Sequence, residues 1–288
     1  MAGWQTIKLS DVVRTNVSTY SLSDNWEFVN YLDTGNIVTN EIALIQRIEL
    51  AQGEKLPSRA RRKVEIGDII YSTVRPNQLH YGFIDNIPEN FLVSTGFAVL
   101  HPEKGKIDAK FLYYLLVQND ITEKLQAIAE QSTSTYPSIK PSDIEDLDFI
   151  VPEIKVQRKI SNILSAIDKK IELNAQINHN LEEQAALIFA DWLQGCNESV
   201  AIGDLSTNIL DYTPINNGFV RLLNSSDVTE GVFPDIQLVP NANLKGHFKK
   251  RFQLGDILYS EIRPRNHHYG FVLFDASEYI ASTRLMVI

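Results

Sequence analysis

The sequence predicts an α+β protein: a mixed β-sheet module with helices, built twice and joined by one long helix. Three observations carry this. Residues 67–83, GDIIYSTVRPNQLHYGF, recur without a gap as residues 255–271, GDILYSEIRPRNHHYGF, 188 positions downstream. Within the first copy, short β-branched and aromatic runs are separated by turn residues and followed by an apolar helical stretch. Between the copies, residues 155–193 contain no Gly or Pro and carry an apolar stripe of helical period.

The duplication comes first, because missing it would misassign the whole chain. Tyr71/Tyr259, Ser72/Ser260, Arg75/Arg263, Pro76/Pro264, His80/His268, Tyr81/Tyr269 and Gly82/Gly270 are identical pairs, and Ser94-Thr95 falls on Ser282-Thr283 at the same offset. Upstream the match loosens: residues 9–12 resemble 202–205, Phe28-Val29 resembles Phe219-Val220, and the offset drifts from 193 to 188. Short loop insertions produce such drift. The first copy therefore starts near Trp4 and the second near Val200, with domains expected at 1–152, 153–195 and 196–288.

Taken in order, residues 68–74 and 97–100 read as strands. Residues 108–130, opening on Asp108 and containing FLYYLL, read as one helix with an Asp cap. The hydroxyl-rich loop Ser132, Thr133, Ser134, Thr135, Tyr136 follows, then a strand at 148–151. In the long helix, Ile160, Leu164, Ile167, Ile171, Leu181, Ala185, Ile188 and Trp192 recur at alternating spacings of four and three, with Asn174 and Asn178 in the two central places. That pattern fits a coiled coil, in which buried asparagines set register. A 39-residue helix spans roughly 58 Å. Pro152 precedes it and Gly195 stands where a stop is expected. The alternatives are a single helix packed on its own domain and a spacer paired with a partner, including a second copy of the chain through residues 155–193.

The net charge of −9 argues against general polyanion binding but leaves room for local basic faces. Arg59, Arg61, Arg62, Lys63 and Arg75 form one; Lys245, Lys249, Lys250, Arg251, Arg263 and Arg265 form its counterpart. A basic strand edge also discourages aggregation, so phosphate binding competes with that plainer role. One cysteine, Cys196, excludes an internal disulfide and fits a reducing, cytoplasmic setting. No apolar run is long enough for a membrane span or resembles a signal peptide.

Catalytic signals are weak. No G-x-G-x-x-G or G-x-x-x-x-G-K-[ST] motif occurs, and no Asn/Asp-Pro-Pro-aromatic motif of an amino-methyltransferase. Asp148 with Glu153 and Lys155 superficially matches a nuclease metal site, at a strand–helix junction where charged residues are ordinary. His80, His267 and His268 lack a further ligand at useful spacing, so neither a metal nor a catalytic residue is expected.

The order GDIIYSTVRP, VSTGFAVLHP, FLYYLL, STSTYPSI, LDFIVP and IKVQRKISNILSAIDKKIE resembles the specificity subunit of type I restriction–modification systems. The resemblance covers residues 4–193 as a complete unit and 200–288 as a partial one. It implies target-recognition domains that each read half of a split double-stranded DNA sequence, spaced by the long helix. It implies no catalysis and no cofactor in this chain. Adenine-methylating M subunits and, through them, the R subunit would bring S-adenosylmethionine, ATP and Mg. The sequence ends at Ile288, inside the strand matching residues 97–100, so the second domain is expected to be shortened. A truncated decoy that binds methyltransferase subunits without productive targeting is the competing expectation.

The repeat also sorts candidate DNA contacts, because phosphates position a protein while base edges specify sequence. Shared Arg75 and Arg263 are candidates for backbone contact or a common structural role, together with Arg59, Arg61, Arg62, Lys63, Lys249, Lys250 and Arg251. Residues that differ or flank the difference, Asn77, Gln78, His80, Arg265, Asn266, His267 and His268, are base-reading candidates, the alternative being a solvated turn. Tyr81 and Tyr269 read as core. The hydroxyl loop stands equally as a phosphate contact or a solvated loop.

Overall fold

The computed structural model describes residues 3–132, 136–195, 199–242, 244 and 246–288, and the chain divides into two compact units, 1–183 and 184–288. Thr133, Ser134, Thr135, Cys196 and Lys245 lie outside the described residues.

Unit one opens with strands β1 (Gln5–Lys8), β2 (Val13–Thr15), β3 (Val29–Leu32), β4 (Ile37–Val38), β5 (Glu41–Ile42) and β6 (Gln46–Ile48). It continues through β7 (Ala60–Arg62), β8 (Ile69–Ser72), β9 (Tyr81–Phe83), β10 (Phe91–Ser94) and β11 (Phe97–Pro102). Helices α1 (Ala109–Leu116), α2 (Asn119–Glu130) and α3 (Pro141–Glu145) follow, then β12 (Asp148–Val151) and α4 (Ile154–Gln194), which runs past the division between units. The two main sheets have strand orders β6-β3-β10-β7 and β2-β11-β8-β9, with β1 paired antiparallel to β12.

Strand alternation explains how these sheets stack. In β8, Ile69 and Tyr71 join the core beneath the helices, whereas Ile70 points into a second core with Phe97, Val99, Phe91 and Val93. In β11, Ala98 and Leu100 take the helix side. Apolar residues on both faces bury the sheet on both sides, which is why these strands read as continuous apolar runs rather than alternating ones. The helix side is closed by Phe111, Leu112, Tyr113 and Leu116 of α1 and Leu125 and Ala129 of α2.

The single helix expected over 108–130 is two helices. Asp108 caps α1 as expected, its Oδ1 accepting from the Phe111 N–H at 2.9 Å. At Gln118 the backbone turns extended (φ −68°, ψ 148°) and restarts as α2. The break re-aims the second apolar stripe, so that Leu125 and Ala129 reach the same core as α1.

Unit two repeats this sheet frame: α5 (Ile202–Leu205), β13 (Phe219–Leu223), β14 (Val239–Pro240), β15 (Phe248–Lys250), β16 (Ile257–Ser260), β17 (Tyr269–Phe271), β18 (Tyr279–Ser282) and β19 (Leu285–Val287). Its sheets have orders β14-β13-β18-β15 and β17-β16-β19. The register is duplicated residue by residue. Ile69 pairs with Phe83 and Ile257 with Phe271; Ser72 pairs with Phe97 and Ser260 with Leu285. Even the shift between Val93–Arg62 and Ser94–Ala60 recurs between Ala281–Lys250 and Ser282–Phe248. Among the described residues, each unit also holds one parallel pair, β3 with β10 and β13 with β18.

Helix α4 has 41 residues, about 62 Å at 1.5 Å per residue. Only Gln157 and Ser161 are buried along it; Ile160 packs partly against the unit-one core and Leu164 is half-buried. Ile167, Ile171, Leu181, Ile188 and Trp192 are exposed large hydrophobics, and Asn174, Asn178 and Ala185 are exposed beside them. Among the described residues, the seam positions from Ile167 onward are thus largely exposed.

Candidate nucleic-acid interface

The duplicated loop begins where a serine ends a strand. Ser72 Oγ accepts from the Val74 N–H at 3.2 Å and donates to the Val74 carbonyl at 2.9 Å, and Ser260 does the same with Ile262 at 3.2 and 3.0 Å. The chain then enters the left-handed region at Arg75 (φ 48°), makes one 3-10 turn over Pro76–Gln78, and re-enters it at Leu79 (φ 58°). Arg263 (φ 52°), Pro264–Asn266 and His267 (φ 54°) repeat this path. Left-handed backbone costs a non-glycine residue roughly 1–2 kcal/mol. Such positions persist where the surroundings fix them, and they cluster at functional sites.

The surroundings fix these by shared bonds. Leu79 O accepts from the Thr39 N–H and His267 O from the Glu230 N–H, both at 2.9 Å. His80 Nδ1 donates to the Ile37 carbonyl, and His268 Nδ1 donates to the Val228 carbonyl at 2.8 Å. Both histidines thus use one nitrogen to hold the frame and leave Nε2 for other work. Glycine follows at 82 and 270 because a Cβ would lie 2.6 Å from Ile37 Cδ1 in one unit and from the Phe233 ring in the other.

In unit one the structure brings the predicted loop against the predicted hydroxyl segment. The Arg75 N–H donates to the Pro137 carbonyl at 2.9 Å, and the Arg75 guanidinium lies 5.0 Å over the Tyr136 ring. Ser132 Oγ accepts from the Ser138 N–H at 3.3 Å. Asn77 and Gln78 are exposed at the tip, and the Asn77 N–H donates to Gln126 Oε1 at 3.2 Å. No motif marks Gln126; its signal is a polar residue on the helix packed under the loop. In unit two Arg263, Arg265, Asn266 and His267 are exposed, with His267 Nδ1 2.7 Å from Glu230 Oε1, while His268 is half-buried.

The basic runs separate into exposed and more buried cations, and exposed Arg61 donates from Nε to the Ser58 carbonyl at 3.3 Å. Arg59, Arg61 and Lys249 are exposed. Arg62 is half-buried, and burial lowers its pKa. Lys63 Nζ pairs with Asp24 Oδ1 at 2.6 Å and lies 5.3 Å over the Trp26 ring. Arg251 donates from Nη2 to the Ser277 carbonyl at 3.1 Å. Lys250 requires a correction: it shares the inner face of β15 with Phe248, is buried, and donates to the Leu285 carbonyl at 2.7 Å. Its charge faces the interior and not a phosphate.

A carboxylate that the motifs did not single out stands at the end of β3. Asp33 Oδ1 accepts from the Thr34 N–H at 2.8 Å and from the Tyr31 hydroxyl at 3.1 Å. Burial pushes its pKa up, but the bonds from Thr34, Ser94 and Tyr31 and the nearby Arg59 charge outweigh it, holding the carboxyl below the usual range.

Residues 1–183 match the model of the type I restriction modification DNA specificity domain. The chain belongs to that family. Among curated relatives it is 34% identical, over 192 residues, to the type I restriction enzyme HindI specificity subunit of Haemophilus influenzae, covering 67% of this chain and 41% of that protein. It is 25% identical over 162 residues to the MjaIX specificity subunit of Methanocaldococcus jannaschii, covering 54% and 36%. The chain therefore spans about two fifths of the length of these relatives. Its fold is similar to that of the HsdS subunit from Thermoanaerobacter tengcongensis (TM-score 0.52, 19% identity, 100% of this chain and 75% of that one). It is also similar to the S subunit from M. genitalium (TM-score 0.59, 14% identity, 99% and 72%). At these identities the structural likeness establishes the α+β fold with its long helix.

Proposed function

We propose that this specificity-family chain is a non-catalytic DNA-reading subunit that directs adenine methylation and restriction by partner subunits. One observation carries the reading: two units share a hydrogen-bond frame and register, yet present different side chains from the same strained loop. A duplicated frame with exchanged tips suits a target made of two unlike half-sites. On this reading residues 1–152 and 196–288 are recognition domains and 153–195 is the spacer. The exposed seam of α4 is then the surface for methyltransferase subunits or a second chain. S-adenosylmethionine, ATP and Mg act in the partners. Exposed Arg61, Lys249 and Arg263 supply phosphate contacts, and Asn77, Gln78, Arg265 and Asn266 stand at the tips.

The test is to co-express the chain with its methyltransferase subunits and map methylated adenines by long-read sequencing. A split motif with unlike halves supports reading by both units. A split palindrome assigns the reading to unit one, with two chains paired through residues 155–193. Absence of any motif overturns the proposal in favour of a decoy.

A further inference from the structure

Unit two holds a cavity of about 370 Å³ where the parallel strands β13 and β18 end. Its wall includes Asn224 and Ser225 just after β13, Arg284 just after β18, His247 just before β15, and Arg263 and His268 of the duplicated loop. Among the described residues, the lining contains no carboxylate.

The duplication supplies a built-in control for what this cavity does. Backbone bonds fix the equivalences without appeal to sequence likeness. Thr95 N–H donates to Arg59 O at 2.8 Å as Thr283 N–H does to His247 O at 2.7 Å. Thr73 N–H donates to Gly96 O as Glu261 N–H does to Arg284 O. Asp33 and Asn224 each precede the 3-10 turn after the first parallel strand. Position by position, Asn224 thus stands for Asp33, Ser225 for Thr34, His247 for Arg59 and Arg284 for Gly96. Arg263, His268 and Ser282 stand for the identical Arg75, His80 and Ser94.

The frame is constant and the remaining lining is exchanged. A phosphate is the same in every DNA sequence, so a phosphate site would keep its lining in both copies. Exchange of side chains on a preserved backbone frame is what reading different bases requires. The exchanges are also sterically coupled. A Cβ at Gly96 would lie 2.8 Å from Thr34 Cγ2, so a side chain there would have to displace Thr34. Unit two carries the long Arg284 at that position, and serine, without the methyl, at the position of Thr34.

We propose that this cavity is a base-reading pocket, with Arg284, Asn224 and His247 setting the base that unit two accepts. Asp33 and Arg59 set a different one at the same place in unit one. The chemistry assigns the classes. Arginine donates to the O6 and N7 acceptors of guanine, so the unit-two pocket takes a guanine edge. The Asp33 carboxylate accepts from an exocyclic amino group, so unit one takes the amino edge of cytosine or adenine there. This inference rests on the DNA-reading role proposed above.

The experiment uses the full chain with its methyltransferase subunits. Arg284→Ala, at an exposed position, and the triple change Asn224→Asp, His247→Arg, Arg284→Gly are compared with the parent by methylated-motif mapping. The same proteins are tested for binding to duplexes carrying each base pair at each half-site position. The expected result is relaxed or switched preference at one position of one half-site, with roughly ten- to hundred-fold loss of discrimination there. The reciprocal Gly96→Arg with Thr34→Ser is expected to alter the other half-site. An unchanged preference in both assays overturns the proposal, as does weakening that is uniform across sequences, the mark of a phosphate contact. A parent that shows no motif and no sequence preference overturns the DNA-reading role itself, which the variants then cannot be blamed for.

Discussion

Unit one buries the outer face of its β8–β9–β11 sheet beneath α1 and α2, whereas among the described residues of unit two the equivalent face is exposed. Tyr71 is 1% exposed and Tyr81 6%, while Tyr259 and Tyr269 are each 41% exposed. The rings still pair in both units, at 5.7 and 6.3 Å between centroids. Identical residues in an identical register therefore differ in environment because of what lies on top of them. The inner face behaves oppositely: Leu32, Ile70, Phe97 and Val99 are buried in unit one, and so are Leu223, Leu258, Leu285 and Val287 in unit two. Among the described residues the two units thus agree on the inner face and differ on the outer one.

The sharpest way to break this comparison is to truncate the paired tyrosines. Tyr71→Ala is expected to cost about 3–5 kcal/mol, as deletion of a fully buried aromatic side chain does. Tyr259→Ala, at a half-open site, is expected to cost less than about 1.5 kcal/mol. Urea denaturation of each variant measures both. Equal losses would mean that the unit-two face is covered in solution.

A second pair probes the inner layer, where the units agree. Gly82→Ala brings a methyl against Ile37 Cδ1, the mobile end of a side chain, and about 1 kcal/mol is expected. Gly270→Ala brings it within 2.7 Å of two atoms of the rigid Phe233 ring and 3.0 Å of Val228 Cγ1, for about 2–3 kcal/mol. Thermal unfolding should rank unit two as the less tolerant, and the reverse ranking would mean that Phe233 yields more readily than Ile37.

Much of this frame was legible in the sequence. The ungapped 188-residue offset carries strand pairing directly, because register follows a side-chain period of two. The α4 stripe was legible because no Gly or Pro interrupts it. The break at Gln118 was missed although Val117, Asn119 and Asp120 beside it are weak helix formers, because the apolar residues on either side kept a helical spacing. Lys250 misled because a basic run looks solvated, although its spacing of two from Phe248 already placed both on one strand face. The pocket hid for another reason: the ends of β3 and β13 lie at an offset of 191, against 188 for the loop, so Asp33 and Asn224 do not align by eye. Gly96 against Arg284 was in plain register, one residue past the matched Ser-Thr.

The exposed and buried cations give a third test, read in affinity. Joint Arg61→Ala and Arg62→Ala replacement should weaken binding to all DNA sequences and lower the salt slope by about 0.9 for each phosphate no longer neutralised. Exposed Lys249→Ala should behave as the removal of one such neutralising charge. Lys250→Ala should leave the slope unchanged and lower stability instead, because it removes a buried partner of the Leu285 carbonyl. Titrations of a non-specific duplex over a salt series check all three. A slope change from Lys250 alone would mean that its ammonium reaches the DNA.

The smallest effect concerns the second left-handed residue of each loop, where the units should differ in sign. His267→Gly relieves a backbone strain of roughly 1 kcal/mol. It gives up an exposed contact with Glu230, worth about 0–1 kcal/mol. The net should fall between neutral and slightly stabilising. Leu79→Gly relieves the same strain but removes a side chain packed against the main core of unit one, so it should destabilise by about 1 kcal/mol. Melting temperatures moving in opposite directions would show that the strain is a property of the shared frame, tolerated in unit one for packing. In unit two the equivalent His267 is exposed, with Glu230 and the Tyr269 ring beside it.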